Sequence, residues 1–183
     1  MTTTRTLGWG APLGSATQIA YVVEDLHDSI DYFVRDCGAG PFFVLPHFLQ
    51  PGQLYRAQPS TADVALAMGF AGNSWFELIQ PLDDNPSVYQ ETILARGYGF
   101  HHFGVAYRDV EAELPRYMAN GWREAFRAAV PTGGEVVYLE GGSPAAPGFL
   151  ELLPATPGMD ATFTRIWRAA QGWDGTDPIR PFA

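Results

Sequence analysis

Residues 99–110 read Gly-Phe-His-His-Phe-Gly-Val-Ala-Tyr-Arg-Asp-Val. Alternate side chains of a β-strand share a face, which sets His102, Gly104 and Ala106 on one side and His101, Phe103, Val105 and Tyr107 on the other. The second side is bulky and apolar apart from His101, as a strand packed on a helix would be. The first carries an imidazole followed by two very small residues, which leaves room beside it, as a ligand facing a cavity requires. Alternation with the small residues favours His102 over His101 as the inward residue. Asp109 reads as a helix N-cap, its carboxylate accepting from the orphan amides of the first turn.

The same pattern stands earlier in the chain. Residues 18–26, Gln-Ile-Ala-Tyr-Val-Val-Glu-Asp-Leu, match residues 102–110, His-Phe-Gly-Val-Ala-Tyr-Arg-Asp-Val. Gln18 takes the place of His102, Ala20 that of Gly104, and Asp25 that of Asp109. A second pair repeats as well: Phe76-Glu77-Leu78-Ile79-Gln80-Pro81 and Leu150-Glu151-Leu152-Leu153-Pro154. Each is an apolar strand interrupted by one carboxylate and closed by proline. The chain is a duplication of one unit, with four polar residues at matching places.

Composition bounds the rest. The chain has 183 residues, 46% hydrophobic and 14% aromatic, which suits one compact domain with a sizeable interior. A formal charge of −9 argues against nucleic acid or an anionic membrane as partner, since both need a basic face. Cys37 is the only cysteine, so an intrachain disulfide and a thiolate metal cluster are excluded, which suits a reducing compartment. Residues 1–10 lack the apolar core of a signal peptide and nothing later approaches a membrane span, so the expected location is the cytoplasm.

In chain order, residues 1–14 are turn-rich and pinned to the surface by Trp9 and Leu13, and 15–23 form the first strand. Residues 26–37 form a helix, with Leu26, Ile30, Phe33 and Cys37 on one side and Gly38 at its end. Residues 40–48 read as an apolar strand, and Pro46 places it at an edge or a bulge. The Pro- and Gly-containing stretch 49–62 reads as a long loop of the kind that forms lids or binding loops. A hairpin follows, 63–70 with 74–80. The connection 83–98 carries a short helix starting at Pro86, a good first helical residue.

The second unit repeats the order: strand 99–107, helix 110–120, and strands near 122–130, 135–141 and 148–154. Pro115 either kinks the second helix or shifts its start. Gly133-Gly134 and Gly141-Gly142 mark turns. Residues 160–173 read as a helix across the outside, and 174–183 hold too many Pro, Gly and Asp residues for regular structure. The expected organisation is a single domain over 1–183, with units at 15–81 and 99–154 and a helix and tail at 155–183.

Glu77 shares its strand face with Trp75 and Ile79, and Glu151 shares its face with Phe149 and Leu153. A buried carboxylate needs a compensating cation or hydrogen bonds, and neither strand contains Lys or Arg. One metal ion would compensate both. Two carboxylates, an imidazole and an amide oxygen suit Zn²⁺, Ni²⁺, Co²⁺, Mn²⁺ or Fe²⁺.

With these residues in place, the chain over 15–154 resembles the vicinal oxygen chelate superfamily, which includes glyoxalase I, methylmalonyl-CoA epimerase and extradiol dioxygenases. The resemblance implies an α+β fold of paired βαβββ modules in a curved mixed sheet around a central cleft. It puts metal ligands at Gln18, Glu77, His102 and Glu151, a set similar to that of eukaryotic-type glyoxalase I. The segments Glu24-Asp25-Leu26, His101-His102-Phe103 and Phe149-Leu150-Glu151 look like the epimerase and related bacterial branches.

The departures narrow the chemistry. Val22, Pro81 and Tyr98 stand where glyoxalase I has its glutathione-binding Arg, Asn and Arg, which makes a glutathione adduct a poor substrate. Extradiol dioxygenases use two His and one Glu, so Gln18 counts against that reaction.

The implied function is a metal-dependent isomerase, epimerase or lyase that binds a small carbonyl or thioester through oxygen. Glu151 is the principal base and Glu77 its partner across the metal, with His47 and Tyr138 as candidate substrate contacts. The aromatic content and the stretch 49–62 hint at an apolar, ring-containing substrate. A homodimer is expected from the habits of the fold. The alternative is a non-catalytic sequestering protein of the bleomycin-resistance type, against which Glu77 and Glu151 discriminate.

Overall fold

A computed structural model describes residues 6–141, 145 and 147–183. Of the sequence expectations, the opening residues 1–5 and the Gly142 half of the second glycine turn lie outside the described residues. The first unit runs β1 (Ala16–Val22), α1 (Leu26–Cys37), β2 (Phe42–Leu45), β3 (Leu54–Tyr55), β4 (Gln58–Pro59), β5 (Val64–Ala71) and β6 (Ser74–Pro81). After α2 (Val88–Arg96) the second unit runs β7 (Gly99–Tyr107), α3 (Val110–Ala119), β8 (Arg123–Ala129), β9 (Glu135–Glu140) and β10 (Phe149–Pro154). Then come α4 (Pro157–Ala170) and β11 (Ile179–Pro181).

One curved, unclosed mixed sheet contains all the strands among the described residues, in the order β11-β2-β5-β6-β1-β7-β10-β9-β8-β3-β4. β1 and β7 form the central antiparallel pair, each with its own unit's carboxylate strand, β6 or β10, parallel on its other side. The paired βαβββ architecture expected from the duplication is the one formed.

Period-two alternation divides the core. On one face α1 buries Leu26, Ile30 and Phe33 against Ala65, Ala67 and Leu78, and α3 buries Val110 and Leu114 against Val137, Leu139 and Leu152. Each large apolar side chain so buried contributes roughly 1.5–3 kcal/mol. The opposite, inner face carries Val64, Leu66, Met68, Trp75, Val136 and Tyr138, which join a single cluster spanning both units. Asp25 and Asp109 cap α1 and α3 as the repeat predicts, accepting from the amides of Asp28 and Ala112 at 2.9 and 3.0 Å. Gly38, at φ 63°, ends α1 in the left-handed conformation that favours glycine.

Several expectations are corrected. The strand foreseen over 40–48 is only Phe42–Leu45, because Pro46 has no N–H to continue the ladder. The stretch 49–62 contains the β3–β4 hairpin, which leaves its own unit and pairs with β8 of the other, Leu54 opposite Arg127 and Tyr55 opposite Phe126. Arg56 fastens it, bonding Glu91 and Glu140 at 2.7 Å each, so this stretch is a strap and not a loose lid. Two-residue strands carry too short a pattern to read.

α2 begins after its cap Ser87, leaving Pro86 outside the helix. α3 starts before Pro115 and continues past it, which decides against a shifted start. α4 does not lie across the outside: Met159, Phe163 and Ile166 enter the inner-face cluster. Trp9, 1% exposed, meets Phe163, Phe70 and Trp75 edge-on, so the amino-terminal segment is anchored in the core and not at the surface. The curved sheet leaves one apolar face to be covered, and α4 covers it. In the tail, β11 adds to β2 in parallel at the sheet edge, where Pro181 is tolerated. Among the described residues no helix is long and apolar enough to cross a membrane.

If the two caps are equivalent, Asp25→Ala and Asp109→Ala should each lower unfolding stability by about 1 kcal/mol. Urea denaturation checks this as a lower midpoint with an unchanged slope.

Candidate metal centre

Strand register decides which side chains meet. Ala20 lies opposite His102 on β7 and opposite Glu77 on β6. Gly104 lies opposite Gln18 on β1 and opposite Glu151 on β10. The two small residues thus each stand between a carboxylate and a neutral ligand candidate, and the pattern maps onto itself when the units exchange. A Cβ on Gly104 would run into the Gln18 amide oxygen and come within 2.8 Å of Leu153. Glycine here is what lets Gln18 lean across β7.

The structure brings Gln18, Glu77, His102 and Glu151 together, all buried. His102 Nε2 lies 3.1 Å from Glu151 Oε2, 3.6 Å from Glu77 Oε2 and 3.2 Å from Gln18 Oε1. One ligand atom from each of Glu77, His102 and Glu151 falls within a 4.8 Å cluster.

The second histidine is placed differently from the expectation. Pairing shifts register between Ala20–His102 and Tyr21–Phe100, so His101 is the extra residue of a β-bulge. The bulge breaks strict alternation, and His101 turns in beside His102 with their Nδ1 atoms 2.8 Å apart. His101 Nε2 faces the Val88 carbonyl at 3.2 Å. A carbonyl only accepts, so His101 donates from Nε2, accepts at Nδ1, and receives the proton of His102 Nδ1. That chain leaves His102 Nε2 as a bare lone pair aimed at the two carboxylates. It is the tautomer a metal-ligating histidine needs, held by an outer partner.

All four groups therefore present acceptors to one another. Glu77 Oε2 and Glu151 Oε2 are buried with no hydrogen-bond partner among the described residues. Burial, together with the charge of Glu151, holds the Glu77 carboxyl well above its ordinary range. Burial pushes Glu151 up to about 8, partly offset by hydrogen bonding from Tyr138. Burial also pushes His102 down to about 3, so its imidazole stays neutral. The donor set fits a divalent cation, which supplies the charge that these acceptors lack.

Tyr138 lies in the cavity wall with its ring centroid 4.9 Å from that of His102. His47 is not there: its side chain is 70% exposed and bonds Asp63 at 2.7 Å, outside the cavity lining. Pro46 ends β2 just before it, so the inward alternation assumed for His47 no longer applies. Sequence reasoning missed Tyr89 on α2, which lines the cavity and stacks on His101 at 5.2 Å. It also missed Phe48, Met159, Phe163 and Phe182, which roof the cavity. None has a partner in the repeat, so symmetry could not point to them.

Paired units that gather a carboxylate, imidazole and amide set at their junction define a class of two-module proteins with a central ligand site. The chain belongs to the Glyoxalase/Bleomycin resistance protein/Dioxygenase superfamily, whose family profile matches residues 17–138. Solved structures of the same fold include a methylmalonyl-CoA epimerase from Mycobacterium tuberculosis, 17% identical, TM-score 0.58, covering 88% of this chain and 97% of that one. A hypothetical protein from Bacillus halodurans C-125 is 21% identical, TM-score 0.55, covering 75% and 91%. A variant Streptomyces coelicolor methylmalonyl-CoA epimerase in complex with 2-nitronate-propionyl-CoA is 20% identical, TM-score 0.53, covering 78% and 96%. At these identities the likeness is one of fold. No curated protein matches the sequence.

Two predictions follow from this geometry. Gly104→Ala should displace the Gln18 amide and weaken zinc binding at least about tenfold, measured by titration calorimetry, while circular dichroism stays unchanged. Without metal, Glu151 removes stability as pH rises from 4.5 toward 8, because the folded chain keeps a Glu151 proton that the unfolded chain has released. His102 acts in the other direction, removing stability as pH falls from 6.5 toward 3. The two oppose each other between 4.5 and 6.5, so melting curves in chelator should decline above about 6.5 and below about 4.5, and zinc should remove the decline at higher pH.

Proposed function

We propose that this chain is a metal-dependent enzyme, an isomerase, epimerase or lyase, that takes a small carbonyl or thioester substrate and moves a proton on the carbon beside the carbonyl. The observation that carries this reading is the pair of buried carboxylates flanking His102, each with one oxygen unpartnered. Gln18, Glu77, His102 and Glu151 would hold one divalent ion: zinc, nickel, cobalt, manganese or iron. When bound, such an ion polarises a substrate oxygen and stabilises the negative charge that develops on it.

The remaining work falls to the chain's own groups. Glu151, with one oxygen unpartnered beside His102, is placed to accept and return the substrate proton. Glu77 sits across His102 from it, the place for a second carboxylate that delivers a proton to the opposite face. Burial holds the Tyr89 and Tyr138 phenols above their ordinary range, so both stay protonated as donors at the cavity wall. His101 fixes the His102 tautomer through Nδ1. Phe48 and Phe163 give the cavity an apolar aromatic lining. The epimerase names of the fold neighbours support proton transfer, and the free Cys37 supports a cytoplasmic setting.

The test is solvent-deuterium incorporation, followed by mass spectrometry, into a panel of ketones, hydroxyketones and methylmalonyl-CoA. Metal-loaded wild type should label at least one of them, and Glu151→Gln should slow labelling by about a hundredfold or more. Elemental analysis of untagged protein gives the metal content in parallel. Stoichiometric metal with no labelling of any compound would overturn the enzyme reading in favour of a sequestering protein.

A further inference from the structure

Resting on the metal-centre reading above, we infer that the substrate is an uncharged, compact, ring-bearing carbonyl compound, and that its body fills the chamber over the carboxylates. A nucleotide-bearing thioester, as in the epimerase complexes, does not fit this chain.

Three observations converge. The first is the wall. Among the described residues, Glu77 and Glu151 are the only charged ones lining the chamber, and most of the rest is hydrocarbon or aromatic: Leu66, Met68, Trp75, Val136, Leu153 and Phe163 among others. A phosphate needs arginine forks, lysine or a helix N-terminus to replace its water; the described lining offers no arginine or lysine, and the α4 first-turn amide that reaches it, Met159 N–H, is already given to Thr156 Oγ1 at 2.9 Å. Arg165 reaches the roof but is committed to it, donating to the Phe182 carbonyl at 2.6 Å and lying over the Phe43 ring at 4.9 Å.

The second is charge balance. With His102 neutral and Gln18 uncharged, two ionised carboxylates are matched by one divalent ion, and the loaded site is neutral. A substrate that arrives neutral keeps it so until charge develops in the reaction. One that arrives as an anion leaves a net negative charge buried among apolar side chains, with no cation in the lining to offset it.

The third is size. The chamber holds a cavity of about 60 Å³. At roughly 10–15 Å³ per water, that is space for a handful of waters, which one six-membered ring replaces. The roof comes from parts that lie outside the site's own strands: Phe48 from the segment after β2, Met159 and Phe163 from α4, and Phe182 from the tail.

Hydroxamic acids probe this directly, because they bring two oxygens to a metal while the attached group is varied. Calorimetry first records zinc uptake by the full chain, and then binding of each probe to the zinc-loaded protein. Benzohydroxamic acid should bind at least about tenfold more tightly than acetohydroxamic acid, the gain expected from burying a ring. Terephthalic monohydroxamic acid, the same ring with an added carboxylate, should lose that gain, and propionyl-CoA should neither bind nor compete. Phe163→Leu, which keeps the core filled, should reduce the ring preference to within about twofold.

Absence of zinc uptake would overturn the metal centre and this inference with it. Zinc-dependent binding of acetohydroxamic acid with no ring preference, or tight binding of propionyl-CoA, would overturn the substrate inference alone.

Discussion

Four hydrogen-bond acceptors converge on the inner face of the sheet and none of them donates to another. Such a cluster holds together only around positive charge, and protons or a divalent ion are the two ways to supply it. The His101–His102 chain makes the choice sharper. By donating outward through Nδ1, His102 gives up the one proton with which it could have satisfied a carboxylate. The local hydrogen bonding therefore leaves the carboxylates two states, protonated when no metal is bound, as their raised pKa values show, or ionised around a cation.

Symmetry delivers this arrangement with little sequence. Gln18 and His102 are 84 positions apart, and the same offset relates the two small residues Ala20 and Gly104 and the two caps. It also relates the two irregularities of the central strand pair, because register shifts at Thr17 on β1 and at His101 on β7. A bulge just before each ligand position turns the strand and presents two consecutive side chains to the interior. In the second unit the extra residue became the orienter of the ligand. In the first it is Thr17, whose buried hydroxyl has no hydrogen-bond partner among the described residues. The two halves share a backbone device and differ in the chemistry placed on it.

How much was legible follows the same division. Features written twice could be read: the strand–helix–strands order, the caps Asp25 and Asp109, the glutamates in their apolar strands, and the small residues beside the polar ones. Features written once could not. The β3–β4 strap is two residues per strand, α4 looks amphipathic whether it lies inside or outside, and β11 begins in a stretch dominated by turn formers. Strict alternation failed at two places for backbone reasons: at His101 because a bulge intervenes, and at His47 because Pro46 had already ended the strand. Tyr89 was invisible because it belongs to the connection between units, where neither period nor repeat speaks.

That division also separates the two jobs of the site. The duplicated strands position charged and polar atoms, where a displacement of a fraction of an ångström changes which atoms can meet, and the paired register holds them. The unduplicated parts bring mostly hydrocarbon and aromatic surface: Phe48, Met159, Phe163 and Phe182 form the roof, while α2 adds the ring and phenol of Tyr89 as a wall. Apolar contact is non-directional and scales with area, so such parts can change in size and shape without disturbing the acceptors beneath. On this fold, then, the cluster of acceptors belongs to the repeat, while the chamber over it is walled by the repeated strands and closed off by what the repeat lacks. The asymmetric additions are the place to look for what distinguishes this chain from its relatives.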